Sequence, residues 1–363
     1  MNINTNNKEN FENENKQFEN LLFSSDPTKN NFPYNIVYYY YGGNRVDNIF
    51  CVFKSKDEIL YLIYNEKLSI IAYNISIFKK IKEIENATDT YIQSFRYHFD
   101  NINNRDIVLS ISRDNNLKIW NINNWECLLN IKKIYIAGRI FSACFLNDKN
   151  KIYIITSNNN HPNHSEEIKV FDFLGNEITK INDSKDETFF IDSYYDNKLS
   201  NFYILTGNKD NAKSYDYNQN KLYHIYCDQN DNEYNEVKSL IIYNLEEQVR
   251  LIGSSACNKI GIWNFHTGEM LKKIEIGTKY NQVYGLCLWN NKYLYASQGI
   301  VLIDLEQGKV VKKYSNSYEY NIKKIIHPEL GECFITLGEF GDKKSLKIWV
   351  NKIHRDKLSK KNS

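Results

Sequence analysis

The residues best suited to bind or transform something are few and scattered. The segment HPNHSEE sets His161 and His164 beside Glu166 and Glu167, residue types that ligate zinc and related metals. Pro162 works against a helix that would align the two imidazoles, and no third ligand is fixed nearby, so a solvated loop without metal is expected. The seven Cys (51, 127, 144, 227, 257, 287 and 333) contain no CxxC pair, which argues against a zinc ribbon or disulfide framework and for a reducing compartment. Cys127, Cys144 and Cys287 lie in apolar patterns and read as small core residues. There is no glycine-rich phosphate loop and no GxSxG elbow. The chain therefore reads as a non-enzyme, with no cofactor and no small-molecule substrate.

Composition narrows the classes further. With 363 residues, 42% hydrophobic and 25% charged, the chain can bury a large core. The formal charge of +2 is unevenly placed: residues 1–30 carry three Lys and five acids, residues 351–363 carry five bases and one acid, and the body between is neutral. A neutral body argues against nucleic acid as the main partner, because that affinity rests on clustered Lys and Arg. No apolar run of 18 residues suggests a transmembrane helix, and no basic start followed by an apolar stretch suggests a secretory signal. A cytoplasmic or nuclear location is expected.

The elements that would position any site read as strands. Tyr (28), Phe (19) and abundant Ile favour half-buried pleated surfaces. Against 15 Gly and 4 Pro there are 52 Asn, so Asn and Asp must supply the turns, through Asx turns and tolerance of left-handed backbone. Nine Asn in the first thirty residues make 1–33 a disordered segment, apart from one weak amphipathic pattern at Phe11, Phe18, Leu21 and Leu22. Residues 354–363 form a basic tail with Lys357, Lys360 and Lys361.

Between these ends a motif recurs. SRDNNLKIWNI (112–122) joins a polar turn, an alternating apolar segment, a Trp and another turn. Related segments are IIAYNI, IKVFDF, AKSYDY, IGIWNF, IVLIDL and LKIWVN. Their large residues, Tyr73, Trp120, Phe171, Tyr215, Trp263, Ile303 and Trp349, are spaced by 40 to 51 residues. That period, with four short strands per unit, predicts propeller blades. Strands are expected at 92–99, 106–112, 117–122 and 127–131 in the second unit, and at 237–243, 249–254, 259–264 and 270–276 in the fifth. The expected fold is all-β: a seven-bladed β-propeller of four-stranded antiparallel blades over 34–353. The last unit lacks a fourth strand, and NIVYYYY (35–41) is expected to pair outside 346–350 and close the ring.

At this point the chain resembles the WD40-repeat family. SRDNNLKIWN matches the family pattern S-x-D-x-T-I-K-L-W-D, with Asp114 and Trp120 at its two marker positions. The resemblance implies that Trp120, Asp114 and Ser110 form a hydrogen-bonded set that locks the second blade. Other blades then rely on apolar packing around Tyr73, Phe171, Tyr215, Trp263 and Trp349. It also implies that peptides dock on the rim made by loops before first strands and between second and third strands. By motif position this rim carries Arg113, Arg139, Tyr280, Phe340 and Asp342, together with Ile136, Asn115, Phe189 and Asn258. Arg, Tyr and Phe are frequent interface anchors.

The function expected is a non-enzymatic scaffold that assembles a multiprotein complex through this rim. One alternative is a substrate receptor of a ubiquitin ligase, whose adaptor box wants W-D-x-R; here the Trp units read WNIN, WNFH and WVNK. The other, a phosphoinositide-binding propeller, needs an F/L-R-R-G motif, and the chain has no adjacent Arg pair.

Overall fold

Runs of Ile, Val and Tyr interrupted by Asn and Asp become short antiparallel strands, because β-branched and aromatic side chains pack on a pleat while Asx residues turn the chain. The computed structural model describes residues 34–41, 50–77, 79–136, 138–148, 151–159, 167–228, 236–245, 247–255, 258–277, 283–289, 292–297, 299–314, 318–328, 331–340 and 343–351. Among them are seven four-stranded antiparallel sheets and one 3-10 turn, Ile75–Ile77. The expected N-terminal segment 1–33, the tail 354–363 and the HPNH loop at 161–164 lie outside the described residues, as do Tyr280 and Asp342.

Each sheet is one blade built from consecutive strands. Blade 2 comprises Ile92–Asp100, Arg105–Ser112, Leu117–Asn121 and Cys127–Ile131, and blade 5 comprises Val237–Leu245, Gln248–Ser255, Lys259–Asn264 and Met270–Glu275. Blades 1, 3, 4 and 6 span 50–84, 139–180, 188–226 and 286–313 in the same order. Blade 7 holds Tyr318–His327, Gly331–Phe340 and Lys343–Asn351, with Tyr34–Tyr41 paired antiparallel outside the last of these.

The packing makes the array a ring. Seven apolar clusters lie between successive blades, and one of them joins Phe50, Leu60 and Ile71 of blade 1 to Ile335, Leu337 and Ile348 of blade 7. An open row of seven blades would have only six such cores. Second strands are clamped on both faces, so Arg105–Ser112 is buried from its second residue to its last. Fourth strands face water, as in Lys79–Ile84, where five of six residues are exposed. Among the described residues, five turn positions with left-handed backbone are Asn (86, 104, 115, 220 and 258), in keeping with the shortage of Gly.

The marker residues fill the inter-blade cores: Trp120, Phe171, Tyr215, Trp263, Ile303 and Trp349 are buried, and Tyr73 is half-buried. Two details correct the expected lock. Trp120 Nε1 donates to Ser110 Oγ at 2.9 Å, but Asp114 instead accepts from Ser112 Oγ and Asn116 Nδ2 within its own turn. A second Trp is also locked, since Trp349 Nε1 donates to Thr336 Oγ1 at 2.9 Å. In blade 5 the indole of Trp263 lies over Gly261, where any β-carbon would collide with the ring.

Candidate functional site

The inner strands share an irregularity that shapes the axis of the ring. In five blades the pairing of first and second strands slips at the same point: Ile92/Ser94, Ile140/Ser142, Thr188/Phe190, Val237/Ser239 and Glu319/Asn321. A bulge adds one unpaired residue and re-aims its side chain. The added residues of four blades, Gln93, Phe141, Phe189 and Lys238, all line one cavity of about 970 Å³. Every blade contributes to its wall, so the cavity is the central channel.

At the mouth, loops from neighbouring blades are tied together. Arg113 N donates to Tyr91 O at 3.0 Å, joining the turn after the second strand of blade 2 to the loop before its first strand. Asn115, held in left-handed backbone, donates through Nδ2 to Tyr135 O at 2.9 Å and Gly138 O at 2.7 Å. Its Oδ1 accepts from Ile140 N at 2.6 Å. This one amide fixes the loop that carries Arg139, and it brings Arg113 and Arg139 to the same opening. Phe141 and Phe189 meet edge to face at 5.7 Å, and Lys238 Nζ stands 3.4 Å from the Phe189 ring centre. Burial holds the Lys238 ammonium below its usual range, opposed by a 3.0 Å ion pair to Glu236.

Deeper in the channel, register places seven residues at one level: Cys51, Arg96, Cys144, Asp192, Ile241, Cys287 and Lys323. Lys323 is exposed to the channel yet surrounded by protein, and that desolvation, with repulsion from Arg96, lowers its affinity for a proton. Burial pushes the Cys51 thiol up to about 11 and raises Cys144 and Cys287 as well. These thiols are protonated at neutral pH and fill space rather than attack. Among the described residues the channel wall carries five cations, Arg96, Arg113, Arg139, Lys238 and Lys323, against one carboxylate, Asp192.

Arg113 and Arg139 thus converge, and Phe189 joins them. Phe340 ends the second strand of blade 7. Ile136, in the loop held by Asn115, is 96% exposed. Among the described residues no group of three or more His, Cys, Asp or Glu could hold a metal, and no helix is long and apolar enough to cross a membrane.

No family model and no curated protein matches the chain. Sequence reading missed Arg96, Lys238 and Lys323, which sit within inner strands and look like ordinary polar alternation.

Proposed function

We propose that the protein is a WD40-type scaffold that assembles protein partners on the channel mouth, acting by holding them rather than by turning over a substrate. The observation that carries this reading is the convergence of Arg113 and Arg139, from different blades, beside the exposed Ile136. Arg is enriched at the centres of interfaces, and an exposed large apolar side chain beside it supplies the water-excluding contact. The neutral body, the repeat SRDNNLKIWN and the seven-blade ring support membership of the WD40 class. The free cysteines support an intracellular setting, cytoplasmic or nuclear.

The test is affinity purification of the intact protein beside an Arg113→Glu, Arg139→Glu variant from the same cells. Loss of specific partners from a variant with unchanged thermal melting supports the reading. A folded variant that keeps every partner overturns it.

A further inference from the structure

Lys238 is paired with Glu236, but the deeper channel charges Arg96 and Lys323 have no ion pair among the described residues. Among the described residues, Arg96 donates only to the carbonyl of Phe95 at 3.3 Å and lies 5.5 Å from the Phe190 ring centre. Lys323 has no hydrogen bond or ion pair, and Asp192 accepts only from Ser193 N at 2.9 Å. Enclosed charges are ordinarily paired, because removing them from bulk water is costly. Here Arg96 and Lys323 repel one another across the Cys51 position, and Asp192 offsets that repulsion only from beyond ion-pair distance. An entering anion would relieve that repulsion.

The wall also changes character with depth. Aromatic residues Tyr91, Phe141, Phe189 and Tyr284 stand among the mouth cations, while Arg96 and Lys323 lie below. A bare inorganic anion would use only the lower level and leave most of the 970 Å³ unfilled. An extended peptide uses both levels, since its acidic side chain reaches down while flanking residues pack on the rings.

We propose that the channel receives an acidic segment of a protein partner, seating a carboxylate or phosphate oxyanion between Arg96 and Lys323 while the mouth aromatics hold its neighbours. This rests on the reading of the mouth as a docking surface and names the chemistry of what docks.

The experiment measures fluorescence anisotropy of three labelled peptides on the full chain: Tyr-Gly-Ser-Glu-Glu-Glu-Ser-Gly-Tyr, its all-lysine counterpart, and a counterpart with phosphoserine at the centre. Either acidic peptide should bind at least tenfold more tightly than the lysine peptide, and weaken as NaCl is raised. The tighter of the two assigns the oxyanion. Arg96→Gln and Lys323→Gln should each lose about tenfold of that affinity. Should Arg96→Gln fail to fold, Lys323→Met serves in its place, since it removes an ammonium with no ion pair among the described residues and should melt no lower than the parent. Equal binding of all three peptides, or parental affinity in the folded variants, overturns the proposal. So does binding of inorganic phosphate, by calorimetry, with no acidic peptide bound. The docking reading is judged separately: partners lost on substituting Arg113 and Arg139 but kept by Arg96 and Lys323 variants refute the channel inference alone.

Discussion

Lys347 Nζ and Glu319 Oε1 lie 2.6 Å apart, with side chains 3% and 0% exposed. Lys347 stands two residues before Trp349 in the third strand of blade 7, and Glu319 begins the first strand of the same blade. The same device recurs. Two residues before their own markers, Lys118 donates to Ala87 O at 2.6 Å, Lys169 to Ile134 O at 2.8 Å, and Lys213 to Asp186 Oδ2 at 2.7 Å. In four blades, therefore, a third-strand lysine holds the approach to the first strand.

Because the blade 7 pair is sealed from water, removing one partner strands a charge. Lys347→Met should destabilise by about 3–5 kcal/mol, whereas a Lys347→Met, Glu319→Leu double variant should recover much of that loss. Urea unfolding of both variants checks it. Equal destabilisation by the single and double changes would show that the lysine acts by packing, not charge.

Tyr34–Tyr41 supplies the outer strand of blade 7. Deleting residues 1–42 should expose the edge of Lys343–Asn351 and lower the melting temperature, while deleting 1–30 should not. Identical melting of the two truncations would mean that the core between blades 7 and 1 closes the ring unaided.

Trp120 is 6% exposed and bonded to Ser110. Trp120→Ala should cost about 3–5 kcal/mol through the cavity it leaves. Ser110→Ala, which strands the indole N-H, should cost about 1–3 kcal/mol. Guanidinium titrations of the two variants give both numbers, and a Ser110→Ala protein as stable as the parent would discount the hydrogen bond.

His98 stacks on Phe145 at 5.2 Å, and its buried Nε2 has no hydrogen-bond partner among the described residues. Burial lowers its pKa below 6.5, with Asp100 opposing more weakly. Below pH 6.5 the unfolded chain therefore binds a proton that the folded chain refuses, so this residue's contribution makes stability fall with acidification. His98→Phe should flatten that slope between pH 7.5 and 5, read from denaturation midpoints. An unchanged slope would assign the acid sensitivity to other groups.

Much of the fold could be read from residue types and spacing. The marker spacing set the number of blades, and the strand limits expected at 106–112 and 259–264 fall within a residue of those observed. Such readings succeed because a strand's period and its Asx turns are local properties. Arg113 and Arg139 were likewise legible, since rim loops follow from motif position.

What sequence could not settle was direction and company. Asp114 turned inward on its own loop, Trp349 found Thr336, and Lys118 reached Ala87, because hydrogen-bond choice depends on which groups arrive in reach. Arg96 and Lys323 are 227 positions apart along the chain, and only curling seven blades about one axis brings them to a common level. The amino-acid order thus determined the repeated blade. Tertiary closure decided the cationic channel, since its charge is a sum over residues that no local pattern connects.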